Sequence, residues 1–141
     1  MKKLLSIITI TSLLYAYSNN PPNAKTGAPN EGTCMDCHSS YDLNSGGGSV
    51  EILGIPTVVN PGQTYTVEVM VSHPTLIRWG FEIAAKRDNQ SQGGSFNVTD
   101  NINTSSSTSN GISYIKQRSA GTYFNQTDYA SWLMEWTAPE Q

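Results

Sequence analysis

Charge of either sign is scarce in this sequence. Asp, Glu, Lys and Arg together make up 13% of the 141 residues, against about a quarter in an ordinary globular protein. The formal net charge is −3, so the chain lacks the positive surface that holds a phosphate backbone. The sequence therefore predicts no nucleic-acid partner, and its length allows one domain.

Long apolar runs are also lacking. Residues 4–14 form the main one, which is shorter than the roughly 20 residues of a membrane-spanning helix. Lys2 and Lys3 precede it, and Ala16 and Ser18 supply the small side chains that a signal peptidase reads. We therefore expect residues 1–18 to be a cleaved export signal, with an uncleaved anchor as the competing interpretation. The mature protein, with no membrane span, is expected in the periplasm, at the cell surface or outside the cell.

Cysteine occurs only twice, at Cys34 and Cys37, which excludes a scaffold held by several disulfides. The two are spaced C-x-x-C, and His38 follows directly. This is the attachment pattern of a c-type haem: two thiols add to the vinyl groups of the porphyrin, and the adjoining imidazole reaches the iron. The pattern predicts one covalent haem c on Cys34 and Cys37, with His38 as the proximal iron ligand.

Three other interpretations of the cysteine pair are open. An exported protein can form a short-range disulfide, which would leave the adjoining histidine unexplained. A thioredoxin-like redox pair needs a strand before it and a helix after it, whereas the flanks here are rich in Pro, Gly and Asn. A zinc site needs four ligands, and His73 is the one further Cys or His in the chain.

The sixth iron ligand is less clearly marked. His73 ends an alternating segment and precedes Pro74, so it is the candidate distal ligand at the rim of the fold. A rim histidine bonded to backbone or water is the alternative, and so is a five-coordinate iron, which would open the site to small-molecule chemistry. No catalytic residues are predicted, because the sequence shows neither a Ser-His-Asp order nor a phosphate-binding glycine motif.

Composition divides the chain after the signal into two parts. Residues 19–30 are rich in proline and poor in apolar side chains, which is typical of an extended, mobile arm. A Gly/Ser joint follows the haem motif at residues 44–49. We expect residues 19–48 to be an arm and haem segment, appended through this joint to a body formed by residues 49–141.

The body is predicted to consist of β-strands. Residues 64–72 alternate, with Tyr65, Val67, Val69 and Val71 on one side, which indicates a half-buried antiparallel strand. The other predicted strands are 49–55, 78–85, 95–99, 111–118 and 131–137, with Trp79, Phe81, Trp132, Met134 and Trp136 directed inward. Polar residues 89–94 and 101–110 are predicted loops. The pattern predicts an all-β, antiparallel β-sandwich, whose tryptophans form core rather than line a haem.

Five segments carry a resemblance to a known family. They are TGAPNEGTCMDCH with its Gly-rich joint, PGQTYTVEVMVSHP, RWGFEIAA, NGISYIKQRSAGT and the closing WTAP. From residue 26 to 139 the chain resembles the bacterial reelin-type (reeler-like) β-sandwich proteins that carry an N-terminal C-x-x-C-H haem motif. The resemblance implies an exported haem-bearing module.

Together with the motif, this favours a cytochrome-like, non-enzymatic electron carrier with an unidentified redox partner protein. The alternative is a secreted or surface binding and adhesion module in which Cys34 and Cys37 form a disulfide.

Two features depart from that family. Its members continue past the W-T-A-P turn with further strands, whereas this chain stops at Gln141. We therefore expect either a fragment or a sandwich with an unpaired edge. The family often has a histidine near the position of Gln117, and its replacement here removes one candidate for the far side of the iron.

Overall fold

The computed structural model describes residues 20–140, so the predicted export signal at residues 1–18 lies outside the described part. Two antiparallel sheets face each other, which confirms the predicted β-sandwich. The strands are β1 (Ser49–Leu53), β2 (Thr64–His73), β3 (Glu82–Ala84), β4 (Ser95–Val98), β5 (Thr104–Ser109), β6 (Ile112–Gln117) and β7 (Asp128–Thr137). Two short 3₁₀ helices, Cys34–Asp36 and Ala120–Thr122, complete the fold.

One sheet has the strand order β1-β2-β7-β4 and the other β3-β6-β5. The longest pairing joins β2 to β7, from Thr64 opposite Thr137 to His73 opposite Asp128. Because the alternating apolar residues of both strands share one face, this register directs them all into the space between the sheets.

The core lies between the sheets and is centred on β2 and β7. Val67, Val69, Trp132 and Met134 each expose at most 3% of their surface. The three tryptophan indole N–H groups donate to backbone carbonyls, Trp79 to Gln126, Trp132 to Gly121 and Trp136 to Gly93. Since buried indoles need such acceptors, these bonds fix the ring orientations. The predicted core placement of the three tryptophans is confirmed, although Trp79 also lines the cavity described below.

The prediction of a loop at residues 101–110 is wrong, because β5 lies there. Its sequence is entirely serine and threonine, so it has no apolar alternation to mark it. Pairing with β6 forms the strand. The two strands are joined by Asn110 and Gly111, both with positive φ, which is the preferred chemistry of a two-residue hairpin.

The strand predicted over residues 78–85 is shorter than expected. Only residues 82–84, which form β3, pair with a neighbouring strand. The residues before them form hydrogen bonds with other groups. The Trp79 N–H donates to the Thr122 carbonyl at 2.9 Å, and the Phe81 N–H donates to Oε1 of Gln117 at 2.8 Å. At Phe81, therefore, a side-chain oxygen accepts the backbone hydrogen bond that a neighbouring strand would otherwise accept.

The predicted arm at residues 19–30 is described over residues 20–30. This segment, called the arm below, lies against the outer face of the three-stranded sheet. The Asn20 N–H donates to the Gln117 carbonyl at 3.2 Å, and Ser107 Oγ donates to Asn23 Oδ1 at 2.6 Å. The arm docks through polar contacts, so its lack of apolar side chains did not leave it free.

β1 forms one edge of the four-stranded sheet. Val50 and Ile52 pair with Val71 and Val69, which places them on the core-facing side. They are nevertheless 67% and 56% exposed, since the opposite sheet, as described, is one strand narrower. Among residues 20–140, no helix has the length and apolar character to cross a bilayer.

Candidate functional site

The C-x-x-C-H motif forms a closed turn. Its first residues make the 3₁₀ helix Cys34–Asp36, capped by the hydroxyl of Thr33, which accepts from the Met35 N–H at 3.2 Å. The Cys34 carbonyl accepts from the N–H groups of Cys37 at 3.3 Å and His38 at 2.9 Å. These bonds hold the two thiols and the imidazole on one compact, exposed loop, called the motif turn below.

A cavity of about 340 Å³ lies between the motif turn and the sandwich, within the range of roughly 300–1,000 Å³ of small-molecule sites. Cys34, Cys37 and His38 all line it. The structure thus brings together the three residues that the motif predicted. Apolar lining comes mainly from Pro21, Pro22, Trp79 and Phe81, and polar lining from Lys25, Arg78, Glu82 and Gln117.

The aromatic wall of the cavity is continuous with the protein core. Trp79 and Phe81 are 4% and 8% exposed, and the Phe81 ring stacks on Trp132 with centroids 4.5 Å apart. Because close-packed side chains hold one another in place, this wall is rigid. The cavity therefore has a fixed apolar side and a more polar rim.

Glu31 fastens the motif turn to the sandwich. Its Oε1 accepts from Lys86 Nζ and from the Tyr114 hydroxyl, both at 2.7 Å, and its Oε2 accepts from Thr26 Oγ1 at 2.5 Å. The Glu31 side chain is only 3% exposed. A carboxylate this deeply buried is tolerated because each oxygen has a donor and a cation is adjacent.

The same contacts set the protonation of this cluster. Burial by itself raises the pKa of Glu31, but the bonds from Lys86, Thr26 and Tyr114 outweigh burial and hold that pKa below its ordinary value of 4.5. Burial and the bond to Glu31 raise the pKa of Tyr114. At neutral pH the carboxylate is therefore charged and the phenol is neutral.

Lys116 provides the second attachment of the arm. It is 2% exposed, and its Nζ donates to the Pro21 carbonyl at 2.6 Å and to Asn23 Oδ1. Pro21 also lines the cavity. The arm therefore supports two parts of the site, namely one wall of the cavity and the motif turn.

The Cys34 thiol is not activated as a nucleophile. Burial, followed by the negative charge of Glu82, raises the pKa of this thiol above its ordinary value of 9.0. Redox-active dithiols and catalytic cysteines need the opposite shift. This environment disfavours the thioredoxin-like interpretation of the pair.

His73, the candidate distal ligand, lies away from the cavity. It ends β2, and its Nδ1 accepts from the Thr75 N–H at 3.1 Å. Its ring lies beside Gly48 in the Gly/Ser joint, where the Cδ2 atom is 3.3 Å from the position a Cβ would occupy. It is not among the cavity-lining residues, so the structure does not bring it together with His38.

Within residues 20–140, no three His, Cys, Asp or Glu side chains are grouped so that they could hold a metal ion.

Sequence reasoning missed Glu31, Glu82 and Lys116. Glu82 and Lys116 are cross-strand partners on the outer face of the three-stranded sheet, where charged residues are ordinarily solvated. Their charge could have identified them. The chain has few ionisable side chains, and several of them lie around the C-x-x-C-H motif and on the strands that it packs against.

Similarity to known proteins is weak. No family model matches the chain, and no curated protein matches it. Among solved structures, the chain is similar to the human F-spondin reeler domain (fragment 2), with 22% sequence identity, 74% of each chain covered and a TM-score of 0.44. The strands themselves establish the architecture: the chain is an antiparallel β-sandwich.

Proposed function

We propose that this chain carries one covalently attached c-type haem and acts as an exported electron-transfer module. The observation that carries the proposal is the motif turn: two cysteines and the histidine after them lie on one loop and line one largely apolar cavity. Neither a disulfide nor a redox dithiol requires the adjoining histidine or the cavity.

The residues present fit a covalent haem. Cys34 and Cys37 would form the two thioether links, and His38 would be the iron ligand on the protein side. Trp79, Phe81 and the two prolines offer apolar surface, and Lys25 and Arg78 offer positive charge at the rim. A bound haem would supply one-electron chemistry at iron, with a potential tuned by its axial ligand and burial.

The chain's own residues then have distinct tasks. The motif turn holds the His38 imidazole in a fixed position relative to both thiols. Trp79 and Phe81 exclude water from one side of the cavity. Glu31, through Lys86 and Tyr114, positions the motif turn over that wall.

The redox partner is proposed to be another protein, since the motif turn is exposed and a partner can approach it directly. Export to the periplasm or cell surface rests on the sequence of residues 1–18, which lie outside the described part. No catalytic role is proposed for any residue.

A potentiometric titration of the purified, matured protein tests the proposal. We expect a Soret band that changes reversibly on reduction and fits one electron per chain. A colourless protein, or a band that is lost on denaturation and extraction, would overturn the proposal because covalent haem survives both.

The role of His73 stays a prediction, and a substitution can decide it. Because His73 lies outside the cavity lining and its Nδ1 is bonded to Thr75, we expect His73→Ala to leave the visible spectrum unchanged in both oxidation states. A shift of the Soret maximum or of the ligand-field bands would establish His73 as the distal ligand.

A surface binding module is the second candidate function. The observation that favours it is the exposed apolar row of β1, where Val50 and Ile52 face no opposite strand among the described residues. In that case Cys34 and Cys37 would be joined as a disulfide. The mass of the exported protein separates the two candidates.

A further inference from the structure

We propose that Glu82 is a proton-binding residue coupled to electron uptake at the motif turn. This inference rests on the proposed haem function and adds a proton-linked group to it. The observation behind it is a carboxylate oxygen without a partner among residues 20–140: Oε1 of Glu82 is buried and accepts no hydrogen bond from these residues, while the residue lines the cavity that the motif turn faces.

The two oxygens of Glu82 have different environments. Oε2 accepts from the Lys25 N–H at 2.7 Å, so the carboxyl is anchored to the arm. Oε1 is available to carry a proton, because a buried carboxylate oxygen without a donor is costly and its protonation removes that cost. Burial is the main reason that the pKa of Glu82 is raised above its ordinary value of 4.5.

Charged and titratable groups surround Glu82 on each element that packs against it. On β6, Lys116 is its cross-strand partner and lowers its pKa. On the arm, the backbone N–H groups of Lys25 and Ala24 lower that pKa, and the carboxylate of Glu31 raises it. The Lys25 ammonium also interacts with Glu82, whose negative charge raises the pKa of Lys25. Cys34, on the motif turn, is sensitive to the charge of Glu82, but as a thioether it would no longer titrate.

The phenol of Tyr114, also on β6, is sensitive to the charge of Glu82 as well. It stays neutral throughout the pH range of interest, because its pKa is raised. Of Tyr114 and Glu82, it is therefore Glu82 that can change its charge beside the cavity.

The coupled step balances in charge and atoms. A one-electron redox protein donates one electron, which lowers the positive charge at the cavity by one unit. The Glu82 carboxylate takes one proton from a solvent hydronium ion and becomes a carboxylic acid, so an O–H bond forms at Glu82 as one O–H bond of the hydronium ion breaks and water is left. The reduced protein binds this proton more tightly because a negative carboxylate is less stabilised there once the positive charge has fallen.

The test is the midpoint potential of the haem-loaded protein as a function of pH, in the wild type and in Glu82→Gln. We expect about a tenfold difference in proton affinity between the oxidation states, the order of magnitude for a change of one unit charge near a carboxyl at an effective dielectric constant near 20. Tenfold corresponds to about 59 mV for a one-electron couple. The wild-type potential falls by that amount as pH rises through the Glu82 transition, and Glu82→Gln shows no such fall.

Glu82→Gln keeps a side-chain carbonyl for the Lys25 N–H, so the arm stays docked. The matched control is Glu51→Gln, a carboxyl on exposed β1 outside the cavity, which keeps the wild-type profile. Reduced-minus-oxidised infrared spectra provide a second readout: a protonated-carboxyl band appears on reduction of the wild type and is absent in Glu82→Gln.

The outcomes separate the two proposals. A protein without haem gives no potential and overturns the proposed function. A haem protein whose profile is flat, or is the same in wild type and Glu82→Gln, retains the electron-transfer function and overturns the role of Glu82.

Discussion

Replacing Cys37 with alanine is expected to abolish the proposed covalent attachment of haem while leaving the sandwich folded. The proposed haem attachment needs both thiols of the motif turn, because both cysteines and the histidine belong to the C-x-x-C-H attachment pattern. Cys37 is exposed and lies outside the core, so its side chain contributes little to packing. Absorption spectroscopy of the denatured, extracted protein measures the first effect, and far-UV circular dichroism with a thermal melt measures the second.

Ser39→Ala is the matched control, since Ser39 is exposed and directly follows His38. It should retain the wild-type spectrum. Retention of a covalent pigment by Cys37→Ala at the wild-type level would contradict the attachment scheme, and unfolding of Cys37→Ala would contradict the placement of Cys37 outside the core.

Replacing Glu31 with alanine is expected to cost about 3 kcal/mol in the free energy of unfolding, the lower end of the penalty for breaking a buried ion pair. The substitution leaves Lys86 and Tyr114 buried without the carboxylate that both contact. We expect the lower end of that penalty because the arm would detach in Glu31→Ala, so that water could solvate the Lys86 ammonium. Urea denaturation measures the change, and faster proteolysis within residues 20–38 would report the release.

The matched control is Asp36→Ala, which removes the other ion pair of the same segment. Lys25 Nζ and Asp36 Oδ2 are 2.5 Å apart, but the two side chains are 26% and 46% exposed, so solvent screens the pair and the expected loss is much smaller than for Glu31→Ala. Equal effects of Glu31→Ala and Asp36→Ala would refute the role of Glu31 as the fastening residue.

The Glu31 contribution also depends on pH, and the sign follows from its lowered pKa. A carboxyl whose pKa is lowered by folding stabilises the protein above its ordinary value of 4.5, and this stability is lost as pH falls through the lowered pKa. The stability difference between wild type and Glu31→Ala should therefore be largest near neutral pH and shrink in acid.

Much of the fold could be predicted from the sequence because period-2 alternation marks strands with one buried face. The alternation in β2 and the tryptophans of β7 gave both position and orientation. β5 could not be found in this way, since its serines and threonines carry no apolar signal and its pairing with β6 determines it. The Asn110-Gly111 hairpin was the available local sign.

Of the candidate site, the sequence predicted only the C-x-x-C-H motif. C-x-x-C-H is a local pattern, so Cys34, Cys37 and His38 could be identified without a structure. The cavity wall and the buried carboxyls depend on contacts between the arm and strands far away in sequence, as in the bond from Tyr114 to Glu31. Such pairings follow from the fold, and composition alone suggested a free arm.

The intact mass of the mature, exported protein tests the central claim most directly. We predict a mass equal to the processed chain plus one haem, with no free thiol at Cys34 or Cys37 and a haem-bearing peptide that contains both. A mass equal to the processed chain less two hydrogens would show a disulfide instead and would contradict the account.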